Sequence, residues 1–331
     1  MDDVSDITIV GAGPTGLFAA FYAGLREMKT NVVESLSEPG GQLAALYPDK
    51  YIFDAPGFMK ILARDLAKNL YEQAKSVGPK FHFNETVESL ETSEDGVMAL
   101  CTNKGRHLTK TLLITAGVGS FHPHKIGIPE IDQYEGKGLH YVVTEKKQFI
   151  DKRILIVGGG DSALDWSQAL DSQAKHITLI TRRGVFRAHE KSVAAVQSLG
   201  IDISTFSELK EIRGNNSVEE AIIQNNQSGE ESVIKIDEIL VLIGFKADLG
   251  PIKEWGLDLV GRSINVNGKM ETNIKAIYAA GDISTQPGSV KLNLIATGFS
   301  QGAIAVNAAK KYLVPTAPNF EHSSEKKRNL Q

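Results

Sequence analysis

Two glycine clusters carry the chemistry legible in this sequence. Gly11, Gly13 and Gly16 form G-x-G-x-x-G, and Gly158, Gly160 and Ala163 form G-x-G-x-x-A. In such a run the first glycine allows a tight turn out of a strand. The second lets a pyrophosphate approach the backbone, and the third lets helix and strand pack closely. Phosphates would sit on the free N–H groups at the helix N-terminus. The charges downstream of the two clusters are opposite. Glu34 lies about 20 residues past the first, where a carboxylate binds a ribose hydroxyl. Past the second stand Thr181, Arg182 and Arg183, with Arg187 close behind. A carboxylate there would repel a 2′-phosphate, whereas a guanidinium can hold it in a bidentate grip. Opposite charges at the two ribose positions imply two different dinucleotides, the second being NADPH rather than NADH.

Strands and helices must position these groups. Ile7 to Val10 reads as a buried parallel strand, Leu17 to Leu25 as the helix after it, and Asn31 to Glu34 as the next strand. The turn-rich stretch from Ser35 to Leu43, with Gly41 and Gln42, is long for a connection and reads as a ligand loop, continuing irregularly past Tyr47 and Asp54. Ile61 to Ala74 has the pattern of an amphipathic helix. Phe81 to Leu90, Gly96 to Thr102 and Arg106 to Leu113 read as a small meander of strands. Thr111 to Ala116 is an apolar strand ending at Gly117, and Gly117 to Ser120 is a candidate hinge. The pattern then repeats. Arg153 to Val157 is a strand, Ser162 to Leu170 a helix and Ile177 to Thr181 a strand. Glu208 to Ile223 and Val233 to Val241 read as further strands, with a surface hairpin around Asn225 to Glu231. Ala276 to Asp282 is an apolar strand, a glycine and an acid in a turn. Asn293 to Lys310 is a helix of small residues.

Composition narrows the class. The chain has 331 residues, enough for two domains. It is 42% hydrophobic and 23% charged, ordinary for a globular protein. A net charge of -4 argues against nucleic-acid binding. No stretch reaches the roughly 18 apolar residues of a membrane span, and the N-terminus lacks the order of a signal peptide, so a cytoplasmic location is expected. Cys101 is the only cysteine, which excludes an internal disulfide, a C-x-x-C pair and a thiolate metal cluster. It sits in a strand-like run and reads as packing. No metal site is expected.

Together these motifs resemble the two-dinucleotide flavoprotein reductases of the thioredoxin reductase type, and within them the thioredoxin-reductase-like ferredoxin/flavodoxin–NADP+ reductases of bacteria. The resemblance covers nearly the whole chain. It rests on the first glycine cluster with Glu34, on Gly40-Gly41-Gln42-Leu43, on Tyr278-Ala279-Ala280-Gly281-Asp282, and on the second cluster with Arg182, Arg183 and Arg187. One departure is decisive. The stretch Gly138 to Glu145 matches the one that carries C-x-x-C in thioredoxin reductases, and the two cysteine positions fall on Val142 and Glu145. A disulfide relay needs sulfur, so electrons must leave the flavin directly.

The resemblance implies an α/β fold of two Rossmann-like, three-layer ββα dinucleotide-binding domains. The FAD domain would comprise residues 1–117 and 245–331, and the NADPH domain residues 118–244. It places FAD contacts on Gly11, Gly13, Pro14, Thr15, Gly16, Glu34, Gly41, Gln42, Leu43, Tyr47, Asp54, Val87, Ala116, Gly117, Phe121, Gly281, Asp282, His322 and Ser323. Tyr47 would stack on one flavin face, and His322, from the partner of a homodimer, on the other. Gly158, Gly160, Asp161, Ser162, Ala163, Arg182, Arg183 and Arg187 would hold NADPH. The implied activity is reversible ferredoxin–NADP+ reduction, with hydride passing from NADPH to FAD and single electrons to ferredoxin or flavodoxin. No residue is expected to act as acid or base. The alternatives are another acceptor, such as a low-molecular-weight disulfide or a peroxiredoxin-type partner, and a non-catalytic NADPH sensor. A sensor would need one nucleotide site, not two.

Overall fold

The computed structural model describes residues 4–143 and 145–318; at residues 120–122 and 245–247 it describes the course of the backbone alone. The chain forms two compact units. One takes the chain up to Ser120 and again from Ala247, and the other runs Phe121–Lys246.

The first unit is built on a five-stranded parallel sheet. Its strands lie in the order Ile277–Ala279, Leu112–Ile114, Ile7–Val10, Thr30–Val33, Lys80–His82. Ile7, Ile9, Leu112, Leu113 and Ile114 are wholly buried, as expected of strands covered on both faces. Helix Pro14–Leu25 packs on helices Ala63–Lys75 and Ile295–Leu313. The approach to Ile295–Leu313 is close because both helices carry small residues there. A Cβ on Gly302 would lie 3.2 Å from the Thr15 carbonyl oxygen and 3.3 Å from the Ala19 methyl. A three-stranded antiparallel meander, Val87–Thr92, Met98–Thr102 and Gly105–Thr109, completes this unit's layers.

The second unit repeats the plan. Its parallel sheet has the order Leu139–His140, Glu238–Val241, Arg153–Val157, His176–Thr181, Asp202–Thr205. Alternate residues of Arg153–Val157 enter two different cores. Leu155 and Val157 join Leu139, Ile180 and Ile239, while Ile154 and Ile156 join Leu164, Trp166, Leu170 and Leu179. Its meander is Ser207–Arg213, Glu220–Asn225 and Glu231–Lys235.

Several expected strands divide. Phe81 to Leu90 is not one strand. Lys80–His82 belongs to the parallel sheet and Val87–Thr92 to the meander, with Asn84 between them in the left-handed region at φ 54. Arg106 to Leu113 likewise splits into Gly105–Thr109 of the meander and Leu112–Ile114 of the sheet. Glu208 to Ile223 is a hairpin that turns at Gly214. Val233 to Val241 divides at Asp237, whose carboxylate is held by Arg153. The helix expected over Ile61 to Ala74 starts two residues later and runs Ala63–Lys75, because Ile61–Leu62 pairs with Tyr51–Ile52.

Candidate functional site

Each parallel sheet ends in a glycine turn at its central strand, where its neighbours lead off to opposite sides. In open α/β sheets this is where ligands bind. In the first unit Gly11 follows Val10 with φ 104, and a Cβ there would lie 2.6 Å from the Thr115 carbonyl oxygen. Gly16 is tighter still, since its Cβ would stand 1.9 Å from the Gly11 carbonyl oxygen and 2.6 Å from Thr115 Oγ1. Thr115 pins the turn by donating its hydroxyl toward the carbonyls of Val10, at 3.0 Å, and Gly11, at 2.9 Å. Gly13 is different. Nothing lies within 4 Å of where its Cβ would be, so the backbone at the helix start is open to a ligand.

Glu34, at the end of Thr30–Val33, is only 7% exposed. Its Oε2 accepts from the Ala12 N–H at 2.7 Å, and its Oε1 accepts from the Leu36 N–H at 2.9 Å and the Ser35 hydroxyl at 3.2 Å. The acid thus ties the second strand to the glycine turn. The Gly40 N–H donates to the Ala12 carbonyl at 2.8 Å, which brings the Gly41-Gln42-Leu43 loop onto the same turn. That loop is partly a short helix, Gln42–Ala45, with Leu43 buried beneath it.

Gln42, Tyr47, Asp54, Gly281 and Asp282 come together from distant parts of the chain. Gln42 hydrogen-bonds the Asp282 carboxylate. Burial, with Asp54 adding to it, still raises the Asp282 carboxyl above the usual range against the pull of Lys291 and Gln42. Burial, helped by Asp282 and Asp54, pushes the Tyr47 hydroxyl up to about 12. The Asp54 Oδ2 accepts from the Ile295 N–H at 2.7 Å and so caps the helix Ile295–Leu313. The Gly281 N–H donates to Gln301 Oε1 at 2.8 Å. Thr15, in the first turn of the helix, has its Oγ1 in the notch left by Gly281 and Gly298, where added Cβ atoms would stand 2.8 and 2.2 Å away. Ala116 and Gly117 follow Thr115, and Gly117 lies beside the Gln42 amide. Val87 is half-buried at the start of the meander. The Phe121 side chain, His322 and Ser323 lie outside the described residues.

The second unit repeats the turn. A Cβ on Gly158 would meet the Leu242 carbonyl oxygen at 2.4 Å and the Ala163 methyl at 3.1 Å, so alanine suffices at the third position. Gly160 starts the helix Asp161–Leu170, and Ser162 is exposed at its first turn. The Arg187 N–H donates to the Gly159 carbonyl at 2.6 Å, and Asp161 Oδ1 accepts from the His189 N–H at 3.0 Å. Arg182, Arg183 and Arg187 are all exposed around this turn. Arg182 Nε lies 3.6 Å from Glu208 Oε1, a solvent-screened pair that a phosphate could displace.

Sequence reasoning missed Thr115, Gln301, Lys291 and Glu208. Thr115 and Glu208 are polar residues at strand ends, the one signal that could have found them. Gln301 sits one turn past Gly298 in a helix, and nothing local distinguishes it. At the match for the thioredoxin reductase cysteines, Val142 is half-buried and Glu145 exposed.

Two glycine cradles on two repeated ββα units define a class. The chain belongs to the pyridine nucleotide-disulphide oxidoreductase family, whose pattern it matches over residues 5–308. A ferredoxin–NADP reductase of Sulfurisphaera tokodaii is 48% identical over 323 residues, 97% of each chain. One of Geobacillus kaustophilus is 46% identical over 316 residues, 95% of each. Among solved structures, the Lactococcus lactis thioredoxin reductase superposes with a TM-score of 0.81 at 26% identity, over 94% of this chain and 99% of that one.

Proposed function

We propose that the protein is an FAD-dependent ferredoxin–NADP+ reductase that exchanges electrons between NADPH and ferredoxin or flavodoxin. The observation that carries this reading is two complete dinucleotide cradles in a chain whose only cysteine, Cys101, lies in the first unit's meander. A second nucleotide cradle exceeds what a sensor needs. The lack of a cysteine pair removes a thiol relay, and the relatives named as ferredoxin–NADP reductases supply the acceptor class.

FAD, when bound, supplies the exchange between a two-electron nicotinamide and a one-electron carrier. The first cradle has the donor set for it. Gly13 leaves room at the helix N-terminus for a pyrophosphate, and Glu34 offers a carboxylate toward a ribose. Thr15, Gly41, Gln42, Leu43, Asp54, Ala116, Gly117, Gly281 and Asp282 would line the remainder, with Tyr47 as the aromatic wall. Val87 and Phe121 complete the proposed set. The second cradle would take NADPH on Gly158, Gly160, Asp161, Ser162 and Ala163, with Arg182, Arg183 and Arg187 on the 2′-phosphate. The protein would work in the cytoplasm as a homodimer, with His322 and Ser323 supplied across the dimer. Among the described residues no helix is long and apolar enough to cross a membrane.

A panel of acceptors tests the reading. Purified protein with NADPH should reduce ferredoxin or flavodoxin at least ten-fold faster than thioredoxin or a small disulfide. A small disulfide reduced fastest would favour the alternative acceptor, and no reduction of any acceptor would favour the sensor. Sedimentation of the full chain, and of one ending at Phe320, tests the dimer and the part the tail plays in it.

A further inference from the structure

The first unit holds a cluster of side chains, joined to Glu34 through the backbone, that neither the glycine turn nor the Tyr47–Asp282 pocket uses. His82 ends the edge strand of the parallel sheet, Glu85 follows in the turn after it, and His107 projects from the meander strand Gly105–Thr109. One nitrogen of each imidazole and one carboxylate oxygen lie within 4.8 Å of one another. His107 Nε2 is 2.6 Å from Glu85 Oε1, His82 Nδ1 is 3.9 Å from Glu85 Oε2, and the ring centroids are 4.4 Å apart. Thr102 donates its hydroxyl to Glu85 Oε1 at 2.6 Å, orienting the carboxylate from behind. Glu85 is 6% exposed, and His82 Nε2 is buried with no hydrogen-bond partner. Two imidazoles and one oriented carboxylate form a ligand set suited to a divalent transition metal, with water completing four-coordination. A carboxylate fixed by a neighbouring hydroxyl is the usual support for such a ligand.

We propose that His82, Glu85 and His107 bind one divalent transition metal ion, for which zinc is the probe. The ion would bridge the parallel sheet to the meander. It would also brace Glu34, because the Glu34 N–H donates to the His82 carbonyl at 2.9 Å and the Glu85 N–H donates to the Glu34 carbonyl at 2.9 Å.

Calorimetric titration of zinc into tag-free, flavin-loaded full chain, stripped with chelator beforehand, tests this. One zinc per chain is expected. His82→Gln and His107→Gln, which keep the packing volume and a hydrogen-bonding amide, should each weaken binding ten-fold or more. His176→Gln, at the exposed His176–Asp202 pair, should leave it unchanged. Flavin absorbance of each variant reports whether the unit remains folded. Lack of zinc binding by the parent protein, or binding that survives in the folded double variant His82→Gln/His107→Gln, would overturn the proposal.

Discussion

Replacing Glu34 with glutamine separates what this acid does for the protein from what it does for a ligand. The carboxylate is almost wholly buried and serves two backbone donors, Ala12 N–H on one oxygen and Leu36 N–H on the other. Glutamine has one acceptor oxygen. If it faces Ala12, that bond survives without charge assistance, a loss of about 1 kcal/mol. The amide NH2 then faces the Leu36 N–H, donor against donor, at about 1–3 kcal/mol for a buried group left unsatisfied. Together Glu34→Gln should loosen the glycine turn by about 2–4 kcal/mol even without FAD. That is roughly 30- to 700-fold in an opening equilibrium. Hydrogen exchange of FAD-free protein reads this directly in peptides covering Ala12 and Leu36, while those from the second sheet should stay unchanged. Unchanged exchange at Ala12 and Leu36 alongside a fall in FAD affinity would refute the reasoning, leaving Glu34 as a ligand contact only.

Arg182→Ala should raise the KM for NADPH far more than that for NADH, and equal kcat/KM for the two nucleotides in the parent enzyme would refute the assignment of the second cradle. Glu208→Gln, which releases Arg182, should lower the NADPH KM by about two-fold, in keeping with an exposed pair. Cys101 is half-buried between Ser89 and Arg106 on neighbouring strands. Cys101→Ser should therefore leave ferredoxin turnover within about two-fold, and a ten-fold loss in kcat, about 1.4 kcal/mol, with FAD retained would show a role in electron transfer. Arg153 draws the Asp237 carboxyl down from 3.8 to about 2 through hydrogen bonds of 2.6, 2.8 and 3.0 Å. A lowered carboxyl pKa stabilises above the unfolded value, and that stability is lost as pH falls from about 4 through about 2. Both side chains are about one-third exposed, so screening leaves about 1 kcal/mol. Asp237→Asn should lower the unfolding temperature at pH 7 and converge with the parent by pH 2 in thermal melts.

The two cradles were legible because their sequence signal is local: the strand, the glycine turn, the helix start and the next strand lie within about 25 residues, although Gly11 and Gly158 are also held tight by distant partners, Thr115 and Leu242. The short apolar strands were legible for a similar reason, since strands buried on both faces leave continuous runs such as Ile7 to Val10. The errors fall where one apolar run serves two sheets. Phe81 to Leu90 has no glycine or proline to mark its break, and the left-handed residue that turns it is Asn84. Val233 to Val241 breaks because Asp237 reaches Arg153, 84 residues away. Gly214-Asn215-Asn216-Ser217 does carry a turn signal, which a single strand from Glu208 to Ile223 overrides. Within the site, the union of Gln42, Tyr47, Asp54 and Asp282 depends on folding over more than 200 residues. Asp282 was marked by its strand, glycine and turn, but nothing local showed that Asp54 would join it.

The first sheet is assembled from both ends of the chain, and this sets an order on synthesis. Every strand of the second unit's parallel sheet has been synthesised before Ile277–Ala279 exists to cover Leu112–Ile114. The last long helix, Ile295–Leu313, is also the one that closes over Thr15 and Ala19. The inserted unit can therefore reach its native pairing while its host still shows an open sheet edge and the bare flank of its first helix. The host's fold rests on its longest-range contacts, the kind that form slowly. A chain cut short after the insert keeps a complete nucleotide unit and an unfinished one. Quality control would meet this protein as a finished domain threaded through an incomplete one.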